Sequence, residues 1–280
     1  MWGEKQMIIK TLVENTSVSE KFLYEHGLSL YIETCKHKIL FDTGASGIFA
    51  ENAEKMNVDL AQVDIAFISH GHYDHGGGLQ TFLKLNSRAN IYINQKALNN
   101  YATKTPEGNM VYIGLPEDLE VNERFILVGE QLIIDDELQF FSNVKGSCLT
   151  PSGNASLYME KEGLIVSDDF NHEQNLIIKD QGKTLLVAGC AHKGIVNIME
   201  HIKSLGMAQP DYVIGGFHLY NRTTKENEET KIVKRIGSYL KETRPKYYTC
   251  HCTGIKSYKT LKKIMGEKVE YLATGSELII

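Results

Sequence analysis

The sequence lacks long runs of apolar residues and long runs of one charge. Its 280 residues include 30 basic and 35 acidic side chains, for a formal net charge of -5, and neither sign forms a block. Without a basic stripe, the chain has nothing that would follow a nucleic acid backbone. No apolar stretch approaches the roughly 20 residues that a membrane-spanning helix needs. We therefore expect neither nucleic acid nor a membrane as a partner.

The sequence also lacks an even number of cysteines. It has five, which argues against a disulfide framework, and the first residues contain no apolar run long enough for export. These features predict a reduced, cytoplasmic protein. No linker, low-complexity tract or charge block divides the chain, and 42% of its residues are apolar, enough for a sizeable core. A single domain over residues 1–280 is therefore expected.

One short stretch concentrates side chains that bind metals. The apolar run from Ile65 to Ile68 predicts a buried strand, and His70, His72, Asp74 and His75 follow it closely. His70 and His72 are separated by one residue, so in extended or turn backbone they point to the same side and can hold one ion. Asp74 and His75 face elsewhere, which suits a second ion beside the first. A histidine-rich surface loop explains this spacing poorly.

The pattern His70-x-His72-x-Asp74-His75 resembles the signature of the metallo-β-lactamase superfamily. The resemblance implies that the four residues are ligands of two adjacent divalent metal ions. Zinc is the expected metal, with manganese or iron as alternatives. The resemblance also implies the fold of that superfamily, an α/β structure built as an αβ/βα four-layer sandwich.

Strands and helices alternate in the N-terminal part of the chain, which is typical of an α/β layout. Strands are predicted at Met7 to Val13, Leu28 to Glu33, Lys38 to Phe41 and Asn90 to Ile93, and helical segments at residues 48–56, 79–85 and 95–101. From Thr103 to Glu160, short apolar runs predict further strands at Phe125 to Val128, Leu132 to Ile134, Leu138 to Phe141 and Ser156 to Met159. The loops at residues 143–147 and 151–154 can reach over a site.

Three later segments repeat one pattern, a strand that ends in a histidine before a helix begins. The strands precede His192, His218 and His251, and they are predicted at Thr184 to Ala188, Tyr212 to Ile214 and Tyr247 to Thr249. The helices are predicted at Ile195 to Leu205, Glu226 to Lys241 and Ile255 to Met265. In a sheet flanked by helices, ligands bind beyond the carboxyl ends of the strands. With the strand before His70, these segments are expected to direct four histidines into one crevice.

The resemblance also bears on the residues that would complete the two metal sites. The superfamily places its third histidine just before a strand whose hairpin partner ends in Gly and the completing residue, which implies His172 for that role. Most members have an aspartate after this glycine, whereas here Cys190 follows Gly189 and His192 comes two positions later. Thiolate and imidazole are both good zinc ligands, so the choice between Cys190 and His192 stays open. Cys190 can also be a small buried apolar residue.

His218 and His251 compete for the last ligand position. Ribonuclease Z-like members of the superfamily show a similar succession of histidines, which favours His251 as the ligand and His218 as a catalytic or substrate-binding group. His192, Lys193 and the amides at the start of the following helix can bind an anion.

Other polar residues have simpler interpretations. Asp42, at the end of a predicted strand, either caps the turn or orients a metal-bound histidine. His26, His37 and His201 have no comparable setting, and they are expected to be solvated or structural.

One branch of the superfamily, which includes proteins similar to a dihydropterin and ribofuranosylaminobenzene phosphate synthase, resembles this chain from about Asp42 to Gly254. The resemblance is carried by Asp168-Asp169 with His172-Glu173, Gly189-Cys190-Ala191-His192, Gly215-Gly216-Phe217-His218 and His251-Cys252-Thr253-Gly254. The leading prediction is a metal-dependent hydrolase in which a metal-activated water attacks a phosphorylated or other anionic small molecule. Asp74 would orient the water, and His218 would act in catalysis.

One alternative is a synthase that joins a dihydropterin diphosphate to an arylamine ribose phosphate, and another is a non-catalytic, metal-containing binding protein. A flavodiiron-like redox role is disfavoured because those proteins carry Glu at the position of His72. The sequence carries no signal of the oligomeric state.

Overall fold

The computed structural model describes residues 6–280. Its helices are α1 Ile48–Lys55, α2 Tyr73–Gly76, α3 Leu79–Leu85, α4 Ile195–Ser204, α5 Thr230–Glu242 and α6 Ile255–Met265. Its strands are β1 Ile8–Val13, β2 Ser29–Glu33, β3 Lys38–Phe41, β4 Ile65–Ile68, β5 Asn90–Asn94, β6 Tyr101–Lys104, β7 Met110–Tyr112, β8 Phe125–Val128, β9 Gln131–Ile133, β10 Leu138–Ser142, β11 Leu157–Lys161, β12 Leu164–Ser167, β13 Gln174–Asp180, β14 Lys183–Val187, β15 Tyr212–Gly215, β16 Tyr220–Asn221, β17 Glu226–Asn227, β18 Lys246–Thr249, β19 Val269–Tyr271 and β20 Glu277–Ile279.

Two seven-stranded sheets form the centre of the molecule. Their strand orders are β20-β1-β2-β3-β4-β5-β8 and β19-β18-β15-β14-β13-β10-β9. An apolar core lies between them: Phe67 of the first sheet meets Phe140 of the second edge to face, with ring centroids 5.6 Å apart. β4 is buried at all four residues, as expected for a parallel strand covered on both faces.

Helices cover the outer face of each sheet. Phe49 of α1 and Phe82 of α3 pack on the first sheet, whereas Ile198 of α4, Ile236 of α5 and Leu261 of α6 pack on the second. In α5 the buried residues recur at helical spacing, so that one stripe of the helix faces the core. The order helix, sheet, sheet, helix is the αβ/βα four-layer sandwich that the sequence predicts, and this fold class is confirmed.

The structure corrects the sequence-based assignment in several places. The helical segment predicted over 95–101 ends at Leu98, and β6 begins at Tyr101. The helix predicted from Glu226 begins only at Thr230, because Glu226 and Asn227 form β17, which pairs with β16. A small sheet of order β12-β11-β6-β7 was only partly predicted. All three residues of β7 are exposed, so the alternation that marks a half-buried strand is absent there.

No helix within residues 6–280 has the length and hydrophobicity needed to cross a membrane.

Candidate metal centre

The four strand-end histidines lie close together. The rings of His70 and His192 are 5.0 Å apart, those of His192 and His218 are 4.1 Å apart, and that of His251 is 5.0 Å from His75. His70 follows β4 of the first sheet, and the other strand-end histidines follow β14, β15 and β18, which are parallel neighbours in the second sheet. The expected crevice therefore lies where strand ends of both sheets meet.

His70, His72 and His192 form one group of candidate ligands. Their ligand atoms lie within 4.8 Å of one another, and their Nε2 atoms are buried without a hydrogen-bond partner among residues 6–280. Burial, together with the neighbouring imidazoles, lowers the pKa of His70 and of His192 well below the usual value, and burial also lowers the pKa of His72. Neutral imidazoles keep a nitrogen lone pair, which is the form that binds a metal.

The ring of His192 is oriented by Asn154, which lies in the predicted loop 151–154. His192 Nδ1 is 3.0 Å from Asn154 Oδ1, while Asn154 Nδ2 donates to the carbonyl oxygen of His192 at 2.8 Å. The carbonyl fixes which end of the amide is the donor, so Nδ1 of His192 carries its proton toward Oδ1. Nε2 is left unprotonated and directed at His70 and His72.

The structure groups His192, and not His172, with His70 and His72. His172 Nδ1 accepts the Gly71 N–H at 3.0 Å, and its Nε2 is 3.1 Å from Asp168 Oδ2. Both ring nitrogens of His172 therefore have hydrogen-bond partners. The group of candidate ligands that includes His172 consists of His72, Asp168 and His172. The resemblance implies His172 as the third histidine, and that assignment stays a prediction, because spacing along the chain does not reveal where a ring nitrogen points.

A second group surrounds Asp74. Its Oδ2 is 3.3 Å from His251 Nε2 and 3.8 Å from His75 Nε2, and the latter is 3.2 Å from Cys190 Sγ. Burial would raise the pKa of Asp74, but His75, His251 and His26 outweigh it and hold the pKa well below the ordinary value. Asp74 is thus a carboxylate among imidazoles, a donor set that suits a divalent ion.

Asp42 binds both the turn and a histidine of this group. Its carboxylate accepts from Ser69 N at 2.7 Å and from Ser69 Oγ at 2.8 Å, and Oδ2 lies 2.6 Å from His75 Nδ1. Burial lowers the pKa of His75, but Asp42 and Asp74 outweigh burial and raise it to about 9. The carboxylate of Asp42 therefore accepts hydrogen bonds from the turn and also orients the ring of His75.

Cys190 and His192 diverge although only Ala191 separates them. Ala191 has a φ of 53°, a left-handed conformation that breaks the alternation of an extended strand. Cys190 therefore lies with His70 and His75, whereas His192 lies with His70 and His72. Each residue thus belongs to a different group of candidate ligands, and His70 is common to both groups.

His218 and His26 complete the surroundings. Both ring nitrogens of His218 are buried without a hydrogen-bond partner among residues 6–280. A ring nitrogen of His218 and the sulfur atoms of Cys190 and Cys252 lie within 4.8 Å of one another. His26 corrects the sequence-based expectation, since it is not remote from the site: its Nε2 lies 3.1 Å from Asp74 Oδ2. It was missed because it lies between β1 and β2, away from the strand ends that carry the other histidines.

A carboxylate lies beside the anion site predicted at His192 and Lys193. The backbone amides of His192 and Lys193 donate to the buried carboxylate of Glu173, at 2.6 and 3.0 Å. These two amides precede the amides at the start of α4, which begins at Ile195, so the anion site stays a prediction. Lys193 is also not among the residues that line the cleft described next.

A cleft opens over the two groups, and its walls include His72, Asp74, His192, His218 and His251. At its rim stand Arg222 and Tyr73, where Arg222 Nη1 donates to Tyr73 Oη at 3.1 Å. Arg222 is exposed and lies between β16 and β17. The sequence offered one signal that was not used, since this cation follows the strand-end His218 by only four positions.

Several known proteins are similar to this chain in sequence. A family model described as the Metallo-beta-lactamase superfamily matches residues 25–211. An uncharacterized protein of Methanocaldococcus jannaschii is 31% identical over 268 residues, which cover 92% of this chain and 94% of that protein. A second protein of the same organism, named 7,8-dihydropterin-6-methyl-4-(beta-D-ribofuranosyl)-aminobenzene-5'-phosphate synthase, is 29% identical over 285 residues, covering 95% and 94% of the two chains.

Among solved structures, a metal-dependent hydrolase of the beta-lactamase superfamily is similar over almost the whole length. The TM-score is 0.80 at 27% identity, and the match covers 98% of this chain and 99% of the other. The similarity therefore includes the two sheets, their helices and the strand ends that carry the histidines.

Proposed function

The chain belongs to the metallo-beta-lactamase superfamily, and we propose that it is a metal-dependent hydrolase of a phosphorylated, anionic small molecule. One observation carries the proposal: buried imidazoles whose Nε2 atoms lack partners line a cleft that has Arg222 at its rim. A buried polar atom without a partner is costly unless a ligand satisfies it.

The donor atoms fit two divalent ions. His70, His72 and His192 would hold one ion. Asp74, His75, Cys190 and His251, which are joined by contacts of 3.2–3.8 Å, would hold the other, with zinc suited to this mixture of nitrogen, oxygen and sulfur. When bound, such ions polarise a substrate oxygen and lower the pKa of a coordinated water toward neutrality.

The remaining roles belong to side chains around the cleft. Arg222 would bind a phosphate, since its planar guanidinium can form two parallel hydrogen bonds to phosphate oxygens. His218, which has no partner for either ring nitrogen among residues 6–280, would donate a proton to the leaving group. Asp74 would orient the attacking nucleophile. The residues that line the cleft around His218 would exclude water from the side on which the leaving group departs.

A synthase is the second candidate, and its support is the relative named as a dihydropterin synthase, which is 29% identical over 95% of this chain. In that reaction an arylamine ribose phosphate would replace water as the nucleophile, and diphosphate would leave. The same cleft would serve both candidates, because each displaces a leaving group from an anionic, phosphorylated substrate.

The test is a screen with metal-loaded protein. Phosphomonoesters, phosphodiesters and a dihydropterin diphosphate are supplied one at a time, and the measured products are phosphate, the phosphomonoester and alcohol, and diphosphate, respectively. We expect turnover of at least one compound, and its loss in Asp74→Ala. A hydrolase gives the same product whether or not an arylamine is added, whereas a synthase diverts the product to the arylamine. Failure of the fully loaded protein with every compound would contradict the proposal.

A further inference from the structure

The side-chain amide of Asn15 lies between two imidazoles that flank Asp74. Asn15 Oδ1 is 2.8 Å from His251 Nδ1, and Asn15 Nδ2 is 3.2 Å from His26 Nδ1. On their other side, His251 Nε2 and His26 Nε2 are 3.3 and 3.1 Å from Asp74 Oδ2. By distance alone, His26 and His251 are equally able to hold a metal together with Asp74.

Backbone groups determine which end of the Asn15 amide is oxygen. The Gly27 N–H donates to Asn15 Oδ1 at 3.4 Å, and Asn15 Nδ2 donates to the carbonyl oxygen of His251 at 3.4 Å. A backbone N–H can only donate and a carbonyl can only accept. The orientation of the amide thus follows from these two contacts, independently of the protons on either histidine.

The orientation of the amide assigns a different tautomer to each histidine. Asn15 Oδ1 can only accept, so His251 Nδ1 carries a proton and its Nε2 keeps a lone pair. Asn15 Nδ2 can only donate, so His26 Nδ1 accepts, and the single proton of the neutral ring lies on Nε2. That Nε2–H is directed at Asp74 Oδ2.

We infer that His26, in contrast to the proposed ligand His251, is a positioning residue, which donates a hydrogen bond to Asp74 and fixes the carboxylate for the second ion. The inference rests on the proposed function, because it needs that ion to bind. It distinguishes two histidines that lie at similar distances from Asp74. Asn15 is responsible for the difference, because its amide sets the tautomer of each ring.

The same segment also fixes the backbone of His251. The carboxylate of Glu14, the residue before Asn15, accepts the His251 N–H at 2.6 Å and is fully buried. Ring and backbone of His251 are thus held by consecutive residues that follow β1. Histidines that bind metals commonly donate their other ring N–H to an oxygen, and His251 has that arrangement whereas His26 does not.

NMR of protein loaded with ¹¹³Cd tests the inference directly, because scalar coupling passes from the metal to ring protons of ligating histidines only. We expect coupling to His251 and none to His26, with the signals assigned by losing one residue at a time in His26→Gln and His251→Gln. Coupling to His26 would overturn the inference. An absence of coupling to every histidine would instead contradict the proposed function, so the two failures are distinct.

Metal affinity supplies a second test with a matched pair of variants. His26→Ala removes the donor to Asp74 and should weaken metal binding about 10-fold, as loss of a partner of a metal ligand commonly does. His26→Gln can place its Nε2 amide where the imidazole Nε2–H lies, and it should bind metal within about 3-fold of the wild type. If the two variants lose affinity equally, a hydrogen-bond donor is not what His26 supplies, and the inference is overturned.

Discussion

Asp42 Oδ2 lies 2.6 Å from His75 Nδ1, and both side chains are completely buried. The contact joins the turn after β3 to the histidine-rich turn after β4, two elements that are neighbours in the first sheet. Asp42 also accepts two hydrogen bonds from Ser69. One buried carboxylate therefore holds both Ser69 and His75 beside the candidate metal centre.

Asp42→Ala should therefore destabilise the fold as well as the site. It leaves Ser69 and His75 with buried donors that have lost their acceptor, which costs about 3 kcal/mol or more of the free energy of unfolding. Urea denaturation of the metal-free protein measures this loss. The control is Asp136→Asn, which removes only an exposed ion pair with Lys36 and should leave the midpoint unchanged. An Asp42→Ala midpoint equal to that of the wild type would contradict this role.

His172→Gln should leave the number of bound metals unchanged. Its Nδ1 accepts from Gly71 and its Nε2 bonds Asp168, so its contribution is to hold the turn and not an ion. His192→Gln, the matched variant, should lose about one equivalent. Metal analysis after saturation and gel filtration separates the two. The assignment of ligands would be wrong if His172→Gln lost an equivalent and His192→Gln did not.

Cys190→Ser should weaken the second ion selectively. Serine has nearly the same shape but is a poor zinc ligand at neutral pH, whereas the His70, His72 and His192 group does not include the thiol. Titration with a metal-binding dye should show one unchanged and one weakened step. If both steps weaken equally, the two groups do not bind separate ions.

Arg222→Gln should raise KM about 10-fold or more, once a substrate is known, because a hydrogen bond between charged groups contributes about 1.5–3 kcal/mol. Metal content should not change, since Arg222 stands at the rim and contacts Tyr73. Arg235→Gln on the exposed face of α5 is the control and should behave as the wild type. A fall in kcat with an unchanged KM would argue against a role in binding.

The fold class was predicted through the resemblance carried by the histidine motif, and the location of the candidate centre was predicted from local patterns. Apolar strands that end in Gly, His or Cys are visible one at a time, and parallel neighbours bring their carboxyl ends to one edge. The sequence did not predict how the ligands divide, because that depends on the left-handed backbone of Ala191 and on partners such as Asn154, which are far away in sequence.

His26 and Arg222 were missed for a related reason. Each lies in a loop whose composition is ordinary, and each reaches the site only because the surrounding strands bring the loop there. In contrast, the third-histidine assignment to His172 relied on its place before β13. His172 does precede β13, and its ring nitrogens contact Gly71 and Asp168. Its role as a ligand stays a prediction, which the metal analysis of His172→Gln tests.

The most direct test of the two-ion centre is the metal stoichiometry of the wild type beside His192→Gln and His251→Gln, measured by elemental analysis after zinc loading and removal of free metal. We predict about two equivalents per chain for the wild type and about one for each variant, since the two histidines belong to different groups. A wild-type chain that holds less than one equivalent, or variants that both keep two, would contradict it.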